Sequence, residues 1–77
     1  MFRYDICNEP NEEVFALQCE ALEKRLPNLI KGRLIHDVDD SKVQPYEFEG
    51  KAISVHNSYY LGAVYIESEV DLKPLFS

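Results

Sequence analysis

Apolar and polar residues alternate at the start of the chain, where Phe2, Tyr4 and Ile6 are separated by Arg3 and Asp5. A period of two marks a half-buried strand. The pattern stops at Asn8, Glu9, Pro10 and Asn11, and a period near that of a helix follows. Phe15, Cys19, Leu22 and Leu26 form one apolar stripe, and Val14, Leu17 and Ala21 form a second. Gln18 lies on the line between them. Asn8 or Asn11 supplies an N-cap, Glu9, Glu12 and Glu13 suit the positive end of the helix dipole, and Lys24 and Arg25 suit the negative end. Pro27 closes the element because its ring clashes with the preceding turn. The spacing predicts a helix from Glu9 or Asn11 to Arg25. Both stripes are expected in the core, unless one of them, with Gln18, meets a partner or a second copy.

Strand-like patterning returns from Leu29 to Val38. Ile30, Leu34 and Val38 share a face with Gly32 and His36, while Lys31, Arg33 and Asp37 point to solvent. Residues 39–45 are rich in turn formers and read as a loop. Tyr46 to Glu49 and Ala52 to His56 read as short strands about a turn at Gly50 and Lys51, with Asn57 and Ser58 making the next turn. Tyr59 to Glu67 is apolar on both faces, as a central strand is. Val70 to Phe76, broken by Pro74, reads as an irregular tail packed by Leu72, Leu75 and Phe76. The expectation is one α+β domain over residues 1–77. One helix packs on an antiparallel sheet of four or five strands, in the order β-α-β-β-β with room for one more. Leu17, Leu22, Leu34, Ile53, Val55, Val64 and Ile66 are the expected core.

Composition fits that picture. With 45% hydrophobic and 12% aromatic residues in 77, the chain has enough apolar surface to fold without metals or disulfides. A domain this small buries only roughly 60 to 65% of its unfolded surface, so its core is thin. There is no apolar run long enough to cross a membrane and no signal-peptide layout at the N-terminus. Cys7 and Cys19 have no metal-ligand spacing, and two free thiols in a reducing cytoplasm are expected.

Charge sharpens the reading. The net charge is −6, and it is unevenly placed. Residues 1–23 hold one base against six acids, residues 24–33 hold four bases and no acid, and residues 34–77 hold three bases against eight acids. Direct binding to a phosphate backbone needs clustered bases, so nucleic acid is disfavoured as a ligand. A partner with a basic surface is favoured instead.

Candidate chemistry is sparse. Asp37, Asp39 and Ser41 copy the opening of a calcium loop, but Lys42 stands where a glycine is needed and Phe48 where a bidentate Glu is needed. No metal is expected. The possible nucleophiles and bases, among them Cys7, Ser54, His36 and His56, sit in no recognisable motif, and His56 reads as a strand-end residue at a turn. Gly32, Gly50 and Gly62 are scattered singly, which rules out a phosphate cradle and reads as bulge, turn and close approach. No cofactor and no enzymatic activity are expected.

The sequence therefore favours recognition over reaction. The first expectation is a small acidic cytoplasmic binding protein that neutralises a basic partner. An immunity protein, or a phage inhibitor of a nuclease or other nucleic-acid-handling enzyme, is of this kind. Asp37, Asp39, Asp40, Glu47 and Glu49 are the expected contact charges and Tyr46 the anchor. The alternative is a structural or regulatory module that acts as a homodimer or docks on a larger enzyme.

Overall fold

The structure, a computed structural model, describes residues 1–75. Its elements are β1 (Phe2–Cys7), α1 (Glu12–Arg25), β2 (Ile30–Lys31), β3 (Ile35–His36), β4 (Lys42–Phe48), β5 (Lys51–Ser58) and β6 (Ala63–Ser68). A short 3-10 turn over Lys73–Leu75 follows. Every strand pairing is antiparallel, and α1 covers one face of a six-stranded sheet of order β1-β6-β5-β4-β2, with β3 also on β4. The fold is α+β, as the patterning predicts, with more strands than expected because the edge opposite β1 is built from two short pieces.

The helix forms where its caps lie. The Asn11 side chain accepts the Val14 N–H, Glu12 and Glu13 occupy the first turn, and Lys24 and Arg25 the last. Of its two stripes, the first is the inner one. Phe15, Leu22 and Leu26 join Tyr46, Ile53, Val55, Val64, Ile66 and Leu72 in the core, with Cys19 packed beside them. Of the second stripe only Val14 reaches the core. Leu17 is 58% exposed and Ala21 is exposed. The expected core membership of Leu17 fails because a single face of a small sheet fills only one stripe. Leu34, 45% exposed, fails for the reason given below.

Residues 30–36 run along β4 as one interrupted edge. Ile30 pairs with Glu47 and Lys31 with Tyr46, but Ile35 pairs with Val43 and His36 with Lys42, a register one residue off. The slip occurs opposite Pro45. The Gly32 N–H donates to the Pro45 carbonyl at 2.9 Å, and an ordinary residue at 45 would donate its own N–H back to the Gly32 carbonyl. Proline has none. The Gln44 side chain supplies the missing donor, its Nε2 reaching the Gly32 carbonyl at 2.8 Å. Gly32 is needed because a Cβ there would lie 3.0 Å from Pro45 Cγ and 3.1 Å from its carbonyl oxygen. Ile30 before this joint and Leu34 and Val38 after it all face solvent, so the edge adds none of them to the core. The expected loop over residues 39–45 is likewise shorter, since β4 begins at Lys42 and turns Gln44 inward.

The turns also shift from their expected places. Glu49 and Gly50 both have positive φ (52° and 78°), which a two-residue hairpin loop of type I′ requires. Asn57 is not in a turn. It is fully buried in β5, where its Oδ1 accepts the Asn11 N–H at 3.0 Å and fixes the helix start to the sheet. Tyr59, Tyr60 and Leu61 form the β5–β6 turn and are exposed, so the final strand is shorter than patterning suggests. At the other edge, β1 shifts register between Asp5 and Cys7, which lets both Ile6 and Cys7 pack on the core. Tyr4 Oη donates to Asp71 and accepts the Leu72 N–H at 2.8 Å, seating the buried Leu72. Phe76, expected in the tail packing, lies outside the described residues.

Candidate functional site

Among the described residues no element covers the face of the sheet away from α1. That face's central strands present Val43, Ser54, His56, Tyr65 and Glu67, with Arg3 on β1. Arg3 and His56 lie on opposite sides of Tyr65, because β6 stands between β1 and β5. The Arg3 guanidinium carbon sits 4.3 Å from the centre of the Tyr65 ring, and the His56 ring stacks on Tyr65 at 4.5 Å, within 5° of parallel. This packing buries Tyr65 and half-buries His56. Burial pushes the Tyr65 hydroxyl up from its ordinary value, with the Glu67 charge adding to the effect. Burial also pushes the His56 imidazole down, against the opposing pull of Glu67, so the ring is held neutral.

Ser54, His56 and Glu67 look at first like a nucleophile, base and orienting acid. Ser54 Oγ lies 2.7 Å from His56 Nε2, and Glu67 Oε1 lies 3.6 Å from the same nitrogen. A relay needs the carboxylate on the other ring nitrogen, where it fixes the tautomer that leaves Nε2 to accept the hydroxyl proton. Here serine and carboxylate compete for one nitrogen. The trio anchors an aromatic stack and lacks the geometry of a relay.

Where β3 and β4 meet, the chain forms a three-residue tip. The Asp37 N–H donates to the Ser41 carbonyl at 2.8 Å, the Asp40 N–H to the Asp37 carbonyl at 3.2 Å, and Asp40 has a φ of 70°. Asp39 Oδ1 accepts the Ser41 N–H at 3.0 Å, which holds the Asp39 carboxyl below its usual range. Asp37 Oδ1 accepts the Val38 N–H at 2.7 Å, and Asp40 Oδ1 lies 3.3 Å from His36 Nε2. Val38, at the tip, is 100% exposed. Ser41 Oγ accepts the Tyr59 N–H at 2.8 Å and so ties this tip to the β5–β6 turn.

Between these two turns lies a hollow of about 380 Å³. Asp37, Asp39, Ser41, His56, Tyr60 and Tyr65 are among the residues that line it. Lys42 also lines it, but its Nζ is engaged by Glu12 at 3.1 Å.

The expected contact residues are therefore divided. Asp37, Asp39 and Asp40 lie together on the tip. Glu47 and Glu49 are exposed but belong to the opposite end of β4, roughly 17 Å away at strand rise from Lys42. Tyr46 is not a contact anchor. It is 3% exposed on the helix side, with its hydroxyl donating to Glu23 Oε2 at 2.6 Å, because its register partner is Ile53 of the core. That hydrogen bond lowers the Glu23 carboxyl, with Lys31 at 3.4 Å adding to the effect, and burial together with Glu23 raises the Tyr46 hydroxyl far above its ordinary value. The aromatic stack was missed in the sequence, although Arg3, His56 and Tyr65 all occupy outward positions of alternating strands. Only cross-strand register brings them together.

Cys7 and Cys19 are free thiols, and burial raises the Cys19 thiol above its usual value. Among the described residues no group of three or more His, Cys, Asp or Glu is placed to hold a metal, and no helix is long and apolar enough to cross a membrane. No family model, no curated protein and no solved structure matches the chain.

Proposed function

We propose that this chain is a small acidic binding protein that occupies and neutralises a basic surface on a protein partner. The partner class is a nuclease or other nucleic-acid-handling enzyme, and the mode is that of an immunity protein or phage inhibitor. The observation that carries this reading is the β3–β4 tip, where a wholly exposed Val38 stands in sequence among the exposed Asp37, Asp39 and Asp40. Three carboxylates in four residues repel one another in the free protein, and a basic surface relieves that repulsion. The same surface takes Val38 out of water, which favours association. Glu47 and Glu49 add exposed acid at the other end of β4, and the net charge of −6 steers a basic partner from a distance. The two free thiols accord with a reducing compartment, the cytoplasm.

Asp39→Asn with Asp40→Asn tests this. Asn at 39 keeps an acceptor for the Ser41 N–H, and Asn at 40 tolerates the positive φ, so charge is removed with the turn intact. The wild-type chain, immobilised at low salt, should capture a basic protein that the double variant binds with a several-fold slower association rate. The difference should shrink as salt rises. Capture that neither the variant nor salt alters overturns the reading.

The alternative of a homodimer or docked module draws support from the exposed Leu17 and Ala21 on the outer helix stripe. A monomer at micromolar concentration by sedimentation removes its dimer form.

A further inference from the structure

The hollow beside the acidic tip has a chemistry of its own. We infer that it receives a single arginine side chain from the basic partner, an inference that rests on the proposed function and names its anchor. Size limits the occupant first. At about 380 Å³ the hollow lies near the lower end of small-ligand sites, ample for one long side chain and cramped for a nucleotide.

Charge selects a cation. Asp37 and Asp39 each use one carboxylate oxygen on a neighbouring backbone N–H, and Asp39 also takes a side-chain hydrogen bond from Ser41. The lining cation, Lys42, is already engaged by Glu12. His56 is packed against Tyr65 and half-buried. The wall therefore carries two carboxylates whose hydrogen-bond donors are neutral groups, Val38 and Ser41.

Shape then favours arginine over lysine. A guanidinium is planar, accepts two carboxylates along its edge and stacks on aromatic faces, whereas an ammonium does neither of the last two well. The hollow is lined by both kinds of group, the carboxylates of Asp37 and Asp39 and the ring of Tyr60, 89% exposed. The same sheet face already holds one guanidinium on an aromatic ring, that of Arg3 over Tyr65.

The experiment uses the chain alone with two probes, N-acetylargininamide and N-acetyllysinamide, followed by backbone amide NMR. The arginine probe should give saturable shifts centred on Ser41, Ser58 and Tyr60, and the lysine probe should bind about fivefold more weakly. Asp39→Asn, which keeps the turn, and Tyr60→Ala, whose side chain is in solvent, should each weaken the arginine probe about threefold or more. Absence of saturable shifts, shifts centred elsewhere, or shifts unchanged in both variants overturns the inference. Because no partner is present, the two readings fail separately. An unresponsive hollow in a chain that still captures a basic protein through its tip removes only the arginine anchor. A responsive hollow in a chain whose capture is blind to charge removes only the proposed partner class.

Discussion

Tyr46 joins both layers of the molecule: its ring lies in the core on β4 and its hydroxyl reaches a carboxylate on α1. Hydrogen bonds to charged acceptors contribute about 1.5 to 3 kcal/mol. Glu23 is partly exposed, so Tyr46→Phe should cost toward the lower end, about 1.5 kcal/mol, by urea unfolding. Tyr46→Ala removes the ring as well and should cost about 3 to 5 kcal/mol, the range for aromatic truncation in cores. If Tyr46→Ala left stability unchanged and weakened only binding, its placement in the core would be wrong. The sequence showed an aromatic between acids, which suits an interface and a buried strand equally. What decides between them is register with Ile53, a long-range property. His56 offers a second check. Its folded value is lowered, so the unfolded chain takes up a proton first as pH falls. Its contribution to stability is complete above the ordinary histidine value near 6.5 and is lost below it, down to the folded value. An NMR titration should find His56 titrating below 6.5; a midpoint above that value contradicts the buried, neutral ring.

Elements are where local signals and global pairing part company. The helix was legible to within a residue of its observed end, because an N-cap, a dipole-matched charge pattern and a terminating proline are all encoded locally. The edge along β4 was not, because its break depends on Pro45 meeting Gly32 across the sheet. Gln44→Ala should cost about 1 to 2 kcal/mol by removing the donor that serves the Gly32 and Pro45 carbonyls. In a Pro45→Ala background the restored backbone N–H can make the Gly32 bond, so the same substitution should cost about 1 kcal/mol less. Equal costs in the two backgrounds would refute the substitution of a side-chain donor for a backbone one. The hairpin turn gives the opposite sign. Glu49 holds a left-handed conformation that ordinary side chains resist by about 1 to 2 kcal/mol. Glu49→Asn, giving the favoured pair with Gly50, should stabilise the fold by about 1 kcal/mol and raise the melting temperature.

At the scale of the whole molecule, α1 covers one face of the sheet, and among the described residues no element covers the other. That asymmetry explains why class and element order were readable while part of the core was not. Periodicity shows that a face is apolar, but the number of apolar faces exceeds what one layer of helix can bury. Leu17 and Leu34 are the surplus. Leu17→Ser and Leu34→Ser should each change stability by no more than about 0.5 kcal/mol, as surface substitutions do. Ile66→Ala, at a fully buried position, should cost about 2 to 5 kcal/mol. A large loss at Leu17 would mean that the outer helix stripe is covered in solution. The candidate contact residues followed the same logic. The acidic tip could be seen because it is contiguous in sequence, whereas the hollow beside it is assembled from three separate segments.

The pairing of β1 with β6 carries a consequence for how the protein is made. Phe2 opposes Ser68 and Cys7 opposes Val64, so β1 leaves the ribosome well before the strand it pairs with. At 5 to 20 residues per second, the 61 residues from Cys7 to Ser68 take roughly 3 to 12 s to synthesise. Through that interval the β4–β5 hairpin can form, since its strands are joined by two residues, but Phe2, Tyr4 and Ile6 have no sheet to join. These apolar side chains are therefore exposed for seconds during synthesis, an opportunity for chaperones and proteases that the finished fold closes.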